Sequence, residues 1–297
     1  MDAIYQSDQY LGLLQSALTA SLYPESAWLL LRPSGKNRLI RNTILKAFSS
    51  RGFAVVKLQA FDQKAREHGE DWPMIGFSMI GKRRLANIQY CLETVHEAII
   101  PGDFVECGVW RGGASIFAKG VLNCLGDDNR KVWLCDSFEG MPVQRDEDKI
   151  DPALAGRSYL AVSLDEVREN FLRFGLLDDR VRFVKGWFSE TLPTAPIERI
   201  SVLRLDGDFY SSTMDALNGL YEKVSPGGFI IVDDYNSFKS CKQAITQFRE
   251  ERQIRTDIVS IDRTGVYFRK PPSLTGFAPA APAPLGDAQP GGRRRPG

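Results

Sequence analysis

Short apolar runs alternate with longer amphipathic segments between residues 85 and 269, and this alternation constrains the fold more than any other feature of the chain. Five apolar residues at steps of three and four indicate a first helix with one buried face: Leu85, Ile88, Leu92, Val95 and Ile99. Seven runs are predicted as strands: residues 104–107, 132–135, 181–184, 202–205, 229–232, 257–261 and 266–269. The turn before the last strand is too short for a crossover, so the last pair should be antiparallel. We predict an α/β fold with a seven-stranded, mostly parallel sheet, an antiparallel last strand and helices on both faces.

The segments that flank this alternation are predicted to be less regular. Residues 1–81 are interpreted as an N-terminal extension and lid region, with helices around residues 11–18 and 39–48 and a short strand or extended segment at residues 53–58. Residues 82–270 form the main domain. Residues 271–297 are rich in Pro, Ala and Gly and lack periodic apolar positions, which predicts a disordered tail.

Charge and cysteine content exclude several classes of protein. Lys and Arg number 38 and Asp and Glu 37, so the formal net charge of +1 gives no electrostatic reason to expect nucleic acid or a membrane as partner. The five cysteines are scattered and odd in number, which favours a reduced, cytoplasmic location. Only two histidines are present, which argues against a zinc site. No apolar run approaches the roughly 20 residues of a membrane-spanning helix.

A glycine-rich turn follows the first predicted strand, where residues 104–115 read FVECGVWRGGAS. Gly108 and the glycines after it allow the backbone to turn tightly and to approach a ligand closely. Glu106, at the strand end, is placed to meet a positively charged group such as an amino group. The spacing is not GxGxxG, so the dinucleotide fingerprint is absent. A plain strand-to-helix turn is the alternative interpretation.

An acidic residue, Asp136, ends the next predicted strand. An acid at this position in such a sheet can accept hydrogen bonds from both hydroxyls of a ribose. It follows Gly108 by 28 residues, an interval that fits one helix and one strand. Capping of a loop or helix is the alternative role. The glycine turn and the acid together predict a nucleoside bound over this edge.

Two later strands also end in acids, at VLRLDGDFY (residues 202–210) and GFIIVDDYNSF (residues 228–238). The carboxyl ends of parallel strands lie on one edge, so Asp206, Asp233 and Asp234 are expected to converge. No Lys or Arg directly flanks either strand end, so the three carboxylates are expected to repel one another. A hard cation would remove the conflict, and Mg²⁺ prefers oxygen ligands. Splayed, solvated acids are the alternative.

The two sites make chemical sense together. A metal ion beside the nucleoside could bind a substrate hydroxyl and lower its pKa. Asp208, two residues after Asp206, could take the hydroxyl proton as general base. A solvent-facing loop acid is the alternative role for Asp208.

Seven motifs in order make the chain resemble the macrocin O-methyltransferase family, whose members methylate sugar hydroxyls of antibiotics such as macrolides and aminocoumarins. The motifs are DWP at 71–73, MIG at 79–81, ECGVWRGGAS at 106–115, DSFEGMP at 136–142, KGWFSETLP at 185–193, LRLDGDFYSST at 203–213 and PGGFIIVDDY at 226–235. The resemblance covers residues 61–269, and no motif is recognised before it.

This resemblance implies a class I methyltransferase (Rossmann-like) fold that binds S-adenosylmethionine and Mg²⁺. The cofactor neighbours it implies are Glu106, Gly108, Asp136, Ser137 and Trp187. It assigns Asp206, Asp233 and Asp234 to the metal and Asp208 to the base, and it places Trp72 and Met79 in a lid over the substrate. We expect a homo-oligomer that acts on a small molecule, a glycoside.

Three other functions are considered. A catechol or other phenolic acceptor could chelate the same metal, so the acids do not separate it from a sugar. A non-catalytic subunit that binds S-adenosylmethionine would have no need of three convergent carboxylates. A nicotinamide-dependent oxidoreductase conflicts with the missing dinucleotide fingerprint. The first two stay open at this point.

Overall fold

A computed structural model describes residues 2–23, 26–31, 38–150 and 160–272 of the chain. Its helices are α1 (Asp2–Leu18), α2 (Arg38–Ser49), α3 (Gln63–His68), α4 (Gly81–Glu97), α5 (Gly113–Cys124), α6 (Leu164–Arg173), α7 (Phe188–Thr191), α8 (Tyr210–Leu220) and α9 (Lys239–Glu251). Its strands are β1 (Ala27–Leu30), β2 (Val56–Gln59), β3 (Asp103–Cys107), β4 (Val132–Asp136), β5 (Val181–Lys185), β6 (Ile200–Leu205), β7 (Val224–Val232), β8 (Val259–Ser260) and β9 (Val266–Arg269).

The main sheet has seven strands in the order β5-β4-β3-β6-β7-β9-β8. The pairs from β5 to β7 are all parallel, whereas β9 pairs antiparallel with both β7 and β8. The predicted α/β architecture is therefore confirmed. The chain returns from the β8–β9 turn so that β9, and not β8, lies against β7.

Two core layers cover the faces of the sheet, because side chains alternate along each strand. Along β3, Phe104 belongs to the layer that also contains residues of α1, α4, α5 and α6. Its neighbour Val105 belongs to the opposite layer, which contains residues of α8 and α9. Strands buried on both faces read as continuous apolar runs, which is why the sequence pattern identified them.

The N-terminal extension contributes to one of these layers. Leu11, Leu14 and Leu18 of α1 are buried, as their helical spacing predicts. A Cβ atom added at Gly120 of α5 would lie 2.5 Å from Leu14 Cδ2, so the glycine permits close packing of the two helices. Strands β1 and β2 form a separate antiparallel pair. The first of them was not predicted from the sequence.

Most of the predicted C-terminal tail, residues 273–297, lies outside the described residues. Among the described helices, none combines the length and apolar character that a membrane-spanning segment requires.

We expect neighbouring residues of α6 to differ sharply in their contribution to stability. Phe171 is fully buried, whereas Leu172 is 53% exposed. Phe171→Ala should lower the free energy of unfolding by about 3–5 kcal/mol, because it leaves a cavity in the core. Leu172→Ala should change it by about 0.5 kcal/mol or less. Urea denaturation followed by circular dichroism measures both, and equal losses would contradict the assigned packing of α6.

Candidate active site

The carboxyl ends of β3, β4, β6 and β7 meet at one edge of the sheet. The chain order reverses direction between β3 and β6, which is the kind of position where ligands bind in open α/β sheets. Two cavities of about 380 and 330 Å³ open at this edge. Asp206 and Asp208 line both of them, so the acids lie where the cavities meet.

Gly108 allows the turn after β3 to lie against the loop that follows β6. Its φ is +91°, a conformation that favours glycine. A Cβ atom at this position would lie 2.0 Å from the carbonyl oxygen of Asp206, so no larger residue fits without moving one of the two loops. The backbone N–H of Asp206 also donates to the carbonyl of Cys107 at 2.8 Å. The turn after β3 and the acidic loop after β6 are thus held in direct contact.

Asp136 is positioned by backbone donors at the end of β4. Its Oδ2 accepts from the N–H of Val109 at 2.7 Å, and its Oδ1 accepts from the N–H of Phe138 at 2.8 Å. Burial raises the pKa of Asp136, and these hydrogen bonds oppose the rise. The hydroxyl of Ser137 donates to the carbonyl of Gly140 at 2.7 Å and orders the following turn.

The larger cavity gathers four of the five residues that were predicted to contact the cofactor. Gly108, Asp136 and Ser137 line it, together with Trp187, the residue immediately before α7. These residues come from three separate loops at the same sheet edge. The combination of tight turn, acid, hydroxyl and indole in one cavity is suited to a nucleoside.

Glu106 differs from the other four because it does not line either cavity. It is 1% exposed, and its Oε1 accepts from Arg204 at 2.6 Å. Its Oε2 accepts a hydrogen bond from the hydroxyl of Ser115. Burial raises the pKa of Glu106 to about 7, and the charge of Arg204 and the bond from Ser115 oppose the rise. Side chains alternate along β3, and that of Glu106 points into the protein interior and not into either cavity.

The acids that converge most closely are Asp206, Asp208 and Asp234. One carboxylate oxygen from each lies within 4.8 Å of the others. Burial raises the pKa of Asp234 well above its ordinary value, and the charges of Asp208 and Asp206 raise it further. The Oδ2 atom of Asp234 is buried and has no hydrogen-bond partner among the described residues. An oxygen cluster with a buried, unsatisfied atom fits a hard cation such as Mg²⁺.

Asp233 is turned away from this cluster, towards two arginines. Its Oδ1 accepts from Arg204 at 2.6 Å, and its Oδ2 accepts from Arg84 of α4. Arg84 is held in turn by Asp262, at 2.8 Å. The expectation of three uncompensated carboxylates is therefore wrong, because Arg84 and Arg204 neutralise part of their charge. The structure brings Asp208 to the cluster in place of Asp233.

Arg204 was not predicted from the sequence, although a signal was present. Arg204 lies inside the apolar run of β6, two residues before Asp206, and it is 1% exposed. A charged residue in a central strand has to be paired, since burying it alone is very costly. That requirement could have predicted carboxylate partners on the neighbouring strands. Arg84 carried no such signal, because it lies on a helix far away in the sequence.

The smaller cavity lies on the other side of the acids and has mixed walls. Trp72, Met79 and Phe238 contribute apolar and aromatic surface, and His68 and Arg263 contribute polar groups. Met79 also lines the larger cavity. The segment that the sequence interpretation treats as a lid therefore borders both spaces.

Comparison with known proteins agrees with the resemblance seen in the motifs. The Macrocin-O-methyltransferase (TylF) family profile matches residues 7–270, so the match also includes residues 7–60, where no motif was recognised. Mycinamicin III 3''-O-methyltransferase of Micromonospora griseorubida is 48% identical over 217 residues, which cover 71% of this chain and 85% of that protein.

Two further similarities concern a second relative and a solved structure. The 8-demethyl-8-(2,3-dimethoxy-alpha-L-rhamnosyl)-tetracenomycin-C 4'-O-methyltransferase of Streptomyces olivaceus is 50% identical over 212 residues, covering 70% of this chain and 81% of that protein. The structure of the O-methyltransferase NovP superposes with a TM-score of 0.75 at 40% identity, covering 89% of this chain and 99% of that chain. With the profile match across nearly the whole chain, these similarities show that the protein belongs to the macrocin O-methyltransferase family and is an O-methyltransferase.

Proposed function

We propose that this O-methyltransferase transfers the methyl group of S-adenosylmethionine to a sugar hydroxyl of a glycosylated natural product, with Mg²⁺ at the acidic cluster. The observation that carries the proposal is the position of Asp206 and Asp208 at the junction of the two cavities. A donor in one cavity and an acceptor in the other would meet at these acids. Catalysis would then consist mainly of positioning and charge stabilisation.

The larger cavity would hold the cofactor. Gly108 gives the backbone its close approach, and Ser137 and Trp187 contribute a hydroxyl and an aromatic surface to the walls. Asp136 Oδ2 accepts one backbone hydrogen bond, from Val109, whereas Oδ1 accepts one from Phe138 and lies 3.3 Å from the hydroxyl of Ser137. A carboxylate oxygen has two lone pairs, so Oδ2 keeps the capacity to accept from a ribose hydroxyl.

Asp206 and Asp234 would hold the cation. A bound Mg²⁺ supplies Lewis-acid chemistry that lowers the pKa of an acceptor hydroxyl. Asp233 as a further ligand stays a prediction, since in this structure both of its oxygens accept from arginines. Asp208 has a carboxylate oxygen within 4.8 Å of those of Asp206 and Asp234, close enough to act on a hydroxyl beside them.

Asp208 would act as the general base. It would accept the hydroxyl proton while the hydroxyl oxygen forms a bond to the methyl carbon and the bond from that carbon to sulfur breaks. The sulfonium becomes a neutral thioether, and the acceptor becomes a methyl ether. Asp208 adopts a φ of +57°, which is rare for a residue other than glycine. Such strain is often found at functional positions.

The smaller cavity would take the acceptor. Its aromatic wall at Trp72 and its polar rim suit a sugar ring, and the relative from Streptomyces olivaceus has a rhamnosyl group in the name of its substrate. A phenolic acceptor is the second candidate, because vicinal oxygens of either kind can chelate a metal. The homo-oligomer and the cytoplasmic location stay predictions, and light scattering after size-exclusion chromatography tests the first.

Methyl transfer should depend on both the glycoside and the cation. We expect turnover with members of a glycoside panel, none with matched phenols, and complete loss in EDTA that excess Mg²⁺ reverses. Methyl transfer is measured by mass spectrometry of the products. Full activity in EDTA would reject the metal mechanism, preferential methylation of phenols would reject the sugar acceptor, and cofactor binding without any turnover would favour a non-catalytic subunit.

We expect two different roles among the acids of the cluster: Asp206 and Asp234 bind the cation, and Asp208 acts as the base. Asp206→Asn and Asp234→Asn should each weaken Mn²⁺ binding at least about tenfold, because a ligand charge is lost. Asp208→Asn should lower kcat by about 100-fold or more while Mn²⁺ still binds. Calorimetric titration with Mn²⁺ and steady-state kinetics measure the two effects.

Two further variants complete this comparison. Asp127→Asn removes a buried carboxylate that accepts from Arg130 at the opposite end of the sheet, and it serves as the control. Asp233→Asn tests the third position, since unchanged Mn²⁺ affinity in this variant would exclude Asp233 as a ligand. A loss of Mn²⁺ binding in Asp208→Asn as large as that in Asp234→Asn would count against the separate role of the base.

Gly108→Ala should impair cofactor binding more than a matched glycine change. Both Gly108 and Gly126 have positive φ, but a Cβ atom at Gly126 would meet nothing within 4 Å. Gly108→Ala should therefore weaken S-adenosylhomocysteine binding at least about tenfold, because the acidic loop has to move. Gly126→Ala should only lower stability. Calorimetry and thermal unfolding measure these effects, and equal cofactor affinities in the two variants would contradict the proposed cavity.

A further inference from the structure

Glu106 and Arg204 are direct partners across the middle of the sheet. Their Cα atoms are paired in the register of β3 and β6, and both side chains are about 1% exposed. The guanidinium Nη1 donates to Glu106 Oε1 at 2.6 Å, and Ser115 donates to the other oxygen. Both oxygens of Glu106 therefore accept hydrogen bonds inside the protein.

Arg204 extends from Glu106 to the acids at the strand ends. Its Nη2 lies 2.9 Å from Asp206 Oδ2 and 2.6 Å from Asp233 Oδ1. The guanidinium thus divides its charge among three carboxylates on three neighbouring strands. Asp206, which belongs to the cation cluster, shares this guanidinium with Glu106.

The charge of Glu106 should therefore affect the cation cluster. While Glu106 is ionised, it balances much of the positive charge of Arg204. Without that balance, Arg204 would attract Asp206 more strongly and would itself repel a cation bound there. Such effects are large in a buried site, because the effective dielectric constant is low.

We propose that Glu106 is a positioning residue for the cation site, acting through Arg204, and not a ligand of the cofactor. This inference rests on the proposed function, because it requires that the acidic cluster binds a divalent cation. It reassigns the residue that sequence similarity places beside the cofactor. It also gives Ser115 a role, since the hydroxyl of Ser115 fixes the second oxygen of Glu106.

Glu106→Gln tests the proposal, because it keeps the shape and removes the charge. Mn²⁺ is titrated calorimetrically into the full chain without cofactor, and S-adenosylhomocysteine is titrated separately in EDTA. We expect Mn²⁺ to bind at least about tenfold more weakly, and S-adenosylhomocysteine to keep its affinity within about threefold. Glu106→Asp keeps the charge but withdraws it from Arg204, so Mn²⁺ should bind about threefold more weakly.

Asp127→Asn is the matched control for loss of a buried carboxylate, and its affinities for both ligands should equal those of the wild type. Thermal unfolding checks that each variant is folded, and Glu106→Asp provides the test if Glu106→Gln does not fold. Unchanged Mn²⁺ affinity in both Glu106 variants would overturn the inference and leave the cation site intact. A larger loss for S-adenosylhomocysteine than for Mn²⁺ would also overturn it. Failure of the wild-type protein to bind Mn²⁺ would reject the cation site itself, and the inference with it.

Discussion

The buried guanidinium of Arg204 is the constraint on which the arrangement of the site depends. It lies in the central strand β6 and contacts acids of β3, of the β6 loop and of the β7 end. A charge buried in this way is tolerated only when its partners are present, and removal of one partner of a buried pair typically costs about 3–5 kcal/mol. Arg204 therefore links the three strand ends through their carboxylates, in addition to the backbone pairing of the strands.

A second contact links this charged layer to the glycine turn. The absence of a side chain at Gly108 lets the β3 turn lie against the backbone of Asp206. The wall of the larger cavity and the acidic cluster are thus parts of one packed unit. In a methyl transfer the donor and the acceptor must be aligned closely, so direct contact between these two loops has a functional value.

The segment that precedes α4 borders both cavities at the functional edge. Met79 borders both spaces, and the carbonyl of Phe77 accepts from the N–H of Gly113 at 3.0 Å. The N-terminal region is therefore fixed against the first turn of α5. This attachment agrees with a family match that begins at residue 7 and not at the main domain.

Much of this architecture could be predicted from the sequence, because it depends on local patterns. Apolar runs and helical spacing identified the seven strands of the main sheet, and strand ends followed by Gly108, Asp136 and Asp206 indicated the functional edge. The motifs also identified the family. Strand β1 was not predicted, because it lies outside the alternation of apolar runs and amphipathic segments at residues 85–269.

The sequence by itself determined the fold, the family and the edge of the sheet that carries the chemistry, since these follow from periodicity and from residues close together in the chain. Only the tertiary structure decided which acids converge. It placed Asp208 with Asp206 and Asp234, gave Asp233 to Arg84 and Arg204, and turned Glu106 beneath the cavity. The physical reason is that a buried charge selects its partners by distance in space, and Arg84 reaches Asp233 from a helix that is 149 residues away along the chain.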